Sequence, residues 1–550
     1  MIEQKLQSEI EIAVQSCFPT SKFKSSEIEV TRPNDPTHGD FATNISFKLA
    51  RELKKAPNEI AEKLSSAFPE AVFEKVEAIN GFLNFYLKKE HYHEILREIL
   101  EKKEKYANLD LFAGKKVQVE YLSANPTGPI HIGNARGIVG ETIANVFRKA
   151  GANVETEFYI NDVGGQANKF AATLLYWYRT SLGEKLDFPD GGYPGEFYKS
   201  LSQNTAKKIG IEKLKKSNDT DKLEMFRKIG IQESMKLIKQ TIIKLDVDFD
   251  KFVNQEDINK NISPKIFDLL AQKNQVTEKD GAKWFADADV DDSEYVLKRS
   301  DENSTLTYFM DDIAYHWDKF YNRKFDLVVD VWGSNHYGHI LRMKKAMKAI
   351  GIDPERLQIA LYQYVRLKKG EKIEKMAKRM GTYVTADQVL AEVPSDVFKF
   401  FLLMRSTNSH LDFDFELAKD TSEKNPVFYV KYAYARIHGI LTKSKDVIKN
   451  QKAGLGILVA PEEIELIDQL SQLPQLVASI VSFDEYPVHY LTYYAIDTAK
   501  KFHQFYDKCR VIDEENLELT AARLELVRAT KIVLGIVMRD LIGIDAPERM

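Results

Sequence analysis

The stretch VQVEYLSANPTGPIHIGNARG, Val117 to Gly137, decides the fold. Its first six residues, Val117 to Leu122, form a short β-type run, and a Pro/Gly-rich loop follows from Ser123 to His131. A helical pattern comes next: Ile138, Val139, Ile143, Val146 and Phe147 share one face, and Gly151 ends it. A second β-type run, NVETEFYI, leads to Asn161 and Asp162. Strand, loop, helix and strand within this length make a βαβ unit, which predicts an α/β fold with a parallel sheet. In such sheets ligands sit beyond the carboxyl ends of the strands, and helix N-termini favour phosphate. Gly128, Pro129, His131, Gly133 and Asn134 occupy that position. Glycines let backbone amides come close, and His131 and Asn134 offer side-chain donors to phosphate oxygens. The competing reading is a loop whose histidine merely caps the helix, and spacing alone does not choose between them.

Moving outward, residues 1 to about 110 read as a small α+β unit. Ile2, Leu6, Ile10 and Ala13 recur at helical spacing, FATNISFKLARELKK from Phe41 reads as a second helix, and GFLNFYL from Gly81 as a strand. The polar run Glu101 to Lys116 serves as a linker. On the other side, Leu174 to Lys273 is mostly helical and lysine-rich, as expected of an insertion between the halves of an α/β domain. Strand signals return at TLTYFM from Thr305, DLVVDVWG from Asp326 and LQIALYQYVRL from Leu357. After about Phe413 nearly everything is helical. Three domains are the economical reading, over 1–112, 113–412 and 413–550.

Composition narrows the function classes. The 550 residues include 78 basic and 82 acidic side chains, a formal charge of −4, so any nucleic-acid partner must be held by local patches. Cys17 and Cys509 are too few for a disulfide framework or a cysteine zinc site. The N-terminal MIEQKLQSEIEIAV carries acids where a secretion signal needs basic and then apolar residues. No apolar run approaches the ~20 residues of a membrane span. The expectation is a soluble protein of a reducing compartment.

A second constellation lies in RLKKGEKIEKMAKRMGTYVT, Arg366 to Thr385, where Gly370 and Gly381 bracket a dense cationic segment. Charge runs are usually solvated surface. The functional alternative is a hinged loop that brings Lys375 and Lys378 onto a polyphosphate.

The two loops together are more specific than either. The first resembles the H-I-G-H signature and the second the K-M-S-K-S signature of class I aminoacyl-tRNA synthetases. Asn134 stands in place of the second histidine and Ala377 in place of the serine. The segments GDFATNISFKLARELKK, VEYLSANPTGPIHIGNARG, FYINDVGGQ, TYFMDDIAYHWDKF, SHLDFDFELA, NPVFYVKYAYARI and the closing APERM are similar to parts of the arginyl-tRNA synthetase family. This resemblance covers essentially the whole chain.

The resemblance implies a Rossmann-like catalytic domain with a helical insertion, an N-terminal additional domain and a C-terminal helical anticodon-binding domain. It implies ATP-dependent formation of arginyl-adenylate and transfer of arginine to tRNA(Arg), in the cytoplasm, by a monomer. His131, Asn134, Lys375 and Lys378 then hold phosphate oxygens and neutralise charge toward pyrophosphate, with magnesium accompanying ATP. Pro129 and Gly133 belong to the same ATP site, and Gly333, Asn335 and His336 in WGSNHYGHI face adenosine. No protein metal site is expected, although His336 and His339 make a pair. A guanidinium presents five donors in a planar fork, so its pocket needs acceptors. The family positions are Glu120, Ser123, Asn125, Tyr308, Asp312 and Gln363, with Asp312 as the bidentate partner. Tyr429, Tyr432 and Arg436, on one aromatic-rich helix, are the tRNA-binding candidates. Two rivals remain: a nucleotidyltransferase sharing only the first signature, and a non-catalytic tRNA-binding paralogue suggested by Asn134.

Overall fold

The computed structural model describes residues 2–24, 27–33, 35–69, 73–286, 295–300, 305–369, 372–374, 384–444 and 453–550. The chain divides into two compact units, one of Ala107–Ala435, Leu476–Asp497 and Leu534–Met550, the other of Met1–Tyr106, Arg436–Gln475 and Thr498–Val533.

In the larger unit the elements that frame the site include β1 (Lys116–Glu120), α1 (Val139–Lys149), β2 (Asn153–Ile160), α2 (Gly165–Ser181), α3 (Glu196–Ile209), α4 (Asp219–Lys244) and β3 (Lys251–Asn254). They continue with α5 (Tyr308–Trp317), β4 (Leu327–Gly333), α6 (Tyr337–Ile350), β5 (Leu357–Tyr362), β6 (Val365–Lys369), β7 (Lys372–Glu374), α7 (Ser395–Leu403) and β8 (Leu411–Asp414). Five strands form one sheet in the order β5-β4-β1-β2-β3, every neighbouring pair parallel. The order reverses between β1 and β4, and the crevice beyond the carboxyl ends at such a point is where doubly wound sheets bind ligands. Parallel strands covered on both faces need apolar side chains on both. Val117, Val119, Phe158, Val328 and Val329 are accordingly buried, with Phe147 of α1 and Met343 and Met347 of α6.

Four segments differ from their sequence reading. TLTYFM from Thr305 is not a strand: Thr307 caps α5, its hydroxyl accepting from the Met310 amide at 3.4 Å. Phe309, Met310, Ile313 and Ala314 then bury one helical face. The region 174–273 is mostly helical as expected but also contains β3, which pairs with β2 as the sheet's edge. LQIALYQYVRL breaks after Tyr362. Its first half is β5, and its second half is β6, in a separate sheet of order β7-β6-β8. In the smaller unit, Phe41–Thr43 opens as a strand before the helix Ile45–Leu53.

The smaller unit carries a four-stranded antiparallel sheet built from Val30–Thr31, Phe41–Thr43, Phe82–Leu87 and Phe73–Ile79. Its later segments are helical. Arg32 grips Asp468 with both carboxylate oxygens at 2.7 Å, and His93 Nε2 lies 2.8 Å from the Leu458 carbonyl oxygen. Among the described residues no helix is long and apolar enough to cross a membrane.

Candidate active site

The carboxyl edge of β1 continues directly into the first loop. Gly128 turns it with φ of 148°, and its amide donates to the Ser234 hydroxyl of α4 at 2.9 Å. His131 then caps a short helical turn, Ile132–Ala135, with Nδ1 accepting from the Gly133 amide at 3.0 Å. Capping does not preclude a role toward ligand. With Nδ1 occupied as an acceptor, the ring proton resides on Nε2, which can donate outward. A Cβ at Gly133 would fall 2.8 Å from the imidazole, so the close approach needs glycine. Pro129 and Asn134 are half-buried at the same rim.

Two backbone hydrogen bonds tie this loop to the end of the cationic segment. The Ile132 amide donates to Val384 O at 3.1 Å and the Ala386 amide to Ile130 O at 2.8 Å, bridging His131 to Thr385. On the near side of that segment, β7 folds back on β6. Lys375 and Lys378 themselves lie outside the described residues.

The proposed arginine positions gather along the same edge. Glu120 ends β1 in register with Glu157 of β2 and Asp330 of β4, so three carboxylates stand side by side across three strands. A π-helical turn at Asp318–Asn322, just after α5, brings the cations that compensate them. Lys319 Nζ, fully buried, bonds Glu120 at 2.8 Å and Asp330 at 3.0 Å. Arg323 grips Glu157, and His316 Nε2 lies 2.7 Å from Asp330. Burial pushes the Asp330 carboxyl up, but Lys319 and His316 outweigh it and hold it at about 2. Glu120 is raised, by burial first and by Asp330, against the pull of Lys319. Ser123 donates to Glu120 at 3.1 Å and accepts from the Tyr159 amide at 3.0 Å, so the buried Glu120 and the half-buried Ser123 form a joined floor.

Above that floor, Asn125 donates to Gln166 at 2.9 Å, beside the Gly164 turn. Tyr308 packs over the turn with its hydroxyl 3.5 Å from Val163 O. Gly164, at φ of 87°, leaves no room for a side chain beneath that ring. Asp312 lies one turn along α5, its carboxylate 2.9 Å from His339 Nε2. Its neighbour Asp311 faces the other way, receiving Gln255, Asn259 and Ser263 in a structural cluster. Gly333 ends β4, with Asn335 and His336 on the exposed turn that follows. Gln363 comes directly after β5, where its carbonyl accepts from Arg136 at 2.9 Å.

Arg136 is a residue the sequence reading passed over. It is fully buried, and its guanidinium also reaches the carbonyls of Ser406 at 2.7 Å and Ser409 at 2.5 Å. Burial lowers it to about 10. Lys319, Asp330, His316 and His339 were likewise not singled out as a set. The available signal was Asp330, an acid in the middle of an apolar strand. Among the described residues, no cluster of three or more His, Cys, Asp or Glu could hold a metal. The helix Pro426–Lys443 carries Tyr432 exposed and Tyr429 and Arg436 half-buried.

Known proteins match this arrangement along the chain. Residues 2–87 match the family described as arginyl tRNA synthetase N terminal domain, 95–400 the tRNA synthetases class I (R) catalytic domain, and 430–550 the DALR anticodon binding domain. An arginine–tRNA ligase of Dehalococcoides mccartyi is 40% identical over 532 residues, covering 96% of this chain and 94% of that one. One from Shouchella clausii is 37% identical over 556 residues, covering 100% and 99%. The structure of the Thermus thermophilus arginyl-tRNA synthetase superposes with a TM-score of 0.77 at 23% identity, covering 100% of both chains, a likeness of fold. The chain belongs to the arginyl-tRNA synthetase family, with a class I catalytic domain.

Proposed function

We propose that the chain is an arginine–tRNA ligase, which uses ATP to make arginyl-adenylate and passes the arginyl group to a terminal ribose hydroxyl of tRNA(Arg), releasing AMP and diphosphate. The reading rests on the family match and is supported by His131 capping the turn after the β1 loop and by the Asp312 carboxylate held by His339 on the elements that follow. The arginine carboxylate attacks the α-phosphorus, and no covalent enzyme intermediate is needed. Positioning and relief of phosphate charge carry the catalysis.

In this reading Asp312 takes the guanidinium in a bidentate pair, Tyr308 supplies a flat wall, and Asn125 and Gln363 frame the slot. Glu120 and Ser123 act from the floor: their hydrogen bonds run to Lys319 and Tyr159, and they fix the sheet edge on which substrate rests. His131 and Asn134 donate to phosphate oxygens, and Gly133 keeps the approach open. Gly333, Asn335 and His336 meet adenosine, while Lys375 and Lys378 draw charge from the departing pyrophosphate. Magnesium arrives on the triphosphate, held mostly by phosphate and water. Exposed Tyr432 is suited to stacking on a splayed base, with Tyr429 and Arg436 beside it on the helix. The division into additional, catalytic and anticodon-binding domains near 112 and 412, a monomeric state and a cytoplasmic setting complete the proposal.

ATP–pyrophosphate exchange tests it. Exchange is expected with arginine once tRNA is present, and not with lysine, because a carboxylate left without its fork is costly to bury. A folded protein that binds tRNA but shows no exchange in either condition is the non-catalytic paralogue instead.

A further inference from the structure

The acid proposed to grip the substrate is itself held, and the holder lies on a different element. Among the described residues, His339 is the side chain hydrogen-bonded to the Asp312 carboxylate, with Nε2 at 2.9 Å from Oδ2. On its far side, His339 Nδ1 faces two guanidinium nitrogens of Arg342, Nε at 3.3 Å and an Nη at 3.1 Å. A guanidinium has donors and no acceptor, so Nδ1 must present its lone pair and the ring proton must sit on Nε2. The imidazole is therefore a neutral donor aimed at Asp312. His339 and Arg342 are three residues apart on α6, a spacing that puts both on one helical face. The ring packs at a tilt against Trp332, at 5.4 Å between centroids, and edge-on against Phe309, at 5.9 Å.

A bidentate pair needs the plane of the carboxylate to match the plane of the fork. A single bond from Cβ leaves that plane free to turn, and Asp312 is 29% exposed, so packing alone does not fix it. One rigid donor on Oδ2 does. We propose that His339 is a positioning residue for arginine selection, which sets the plane of the Asp312 carboxylate, and that Arg342 fixes the tautomer in which it does so. The proposal rests on the arginine–tRNA ligase reading and deepens it: the chain selects a guanidinium through a three-residue relay, not through Asp312 alone.

The experiment is ATP–pyrophosphate exchange with tRNA on the full chain, with arginine and ATP titrated separately. Wild type is measured first, and absence of arginine-dependent exchange there overturns both the function and the relay. With an active wild type, His339→Leu is expected to raise the arginine KM roughly 10- to 100-fold, the loss of a hydrogen bond to a charged group, while the ATP KM stays within about twofold. His339→Gln places an amide donor where Nε2 lies and is expected to recover most of the arginine KM. His339→Asn, with its amide nearer the backbone, is not. Should the leucine variant fail to fold, the Gln and Asn pair alone decides. Equal KM values for Gln and Asn, an unchanged arginine KM in His339→Leu, or parallel shifts in the arginine and ATP KM values would each overturn the relay and leave the ligase activity standing.

Discussion

A carboxylate recognises a guanidinium by offering two oxygens to two parallel donors, and the match is worth most where water is kept out. Under the proposal Asp312 fills that role: it sits one helical turn from Tyr308, with His339 hydrogen-bonded to its carboxylate. Asp312→Ala is expected to lower kcat/KM for arginine by about 30-fold or more, as loss of one member of a desolvated charge pair costs roughly 2–5 kcal/mol. The ATP KM should stay near its original value. Titration of each substrate in the exchange reaction checks this, and an equal loss for both would make Asp312 a structural residue. At this scale the sequence is a partial guide. Asp312 is legible beside Asp311 only through the family motif, since periodicity cannot say which of two adjacent acids faces the slot. The structure separates them, because Gln255, Asn259 and Ser263 already occupy Asp311.

Among elements, the parallel sheet sets the problem and the π-helical turn after α5 answers it. Pairing β1 with β2 and β4 aligns Glu157, Glu120 and Asp330, and like charges in adjacent register repel. The extra residue in the turn points Lys319 inward between two of them. Removing one partner of a buried ionic group is costly because it strands the others. Lys319→Met is therefore expected to destabilise the larger unit by about 3–5 kcal/mol near neutral pH. The deficit should shrink as pH falls, since protonating the stranded carboxylates removes the uncompensated charge. Urea unfolding at pH 5 and pH 8 measures both effects, and a deficit that widens at pH 5 would contradict the argument. Along the chain only Asp330, an acid inside an apolar strand, hints at this network. Glu120 lies 199 positions from Lys319, and strand register brings it beside Asp330, which lies only 11 positions from that lysine. By contrast, the βαβ unit from Val117 to Ile160 was readable, because its strands are local and apolar. The edge strand β3 was not: four residues with a lysine and an asparagine at its ends carry too little pattern to stand out between helices.

For the larger unit as a whole, one buried ionic contact joins sequence-distant parts. Lys399 of α7 reaches Glu141 of α1 at 3.1 Å, Asp246 O at 2.7 Å and Gly543 O at 3.1 Å. Burial pushes the Glu141 carboxyl up to about 7, with Lys399 pulling the other way. Unfolded, a glutamate titrates at about 4.3. A folded value above the unfolded one means that the group favours folding while protonated, fully so below about pH 4, and that this support fades as pH rises through about 7. Up to about 3 kcal/mol of stability should therefore be lost between pH 5 and pH 8 through this group. Glu141→Gln is expected to flatten that part of the profile. Denaturant unfolding at several pH values checks it, and an unaltered slope would clear Glu141 of the role.

The pairing of Ile130 and Ile132 with Val384 and Ala386 has a consequence of its own. Lys378 precedes Thr385 by seven residues, and a fully stretched chain gains at most ~3.6 Å per residue. Whatever path the intervening peptide takes, the lysine is leashed within about 25 Å of the rung that holds His131.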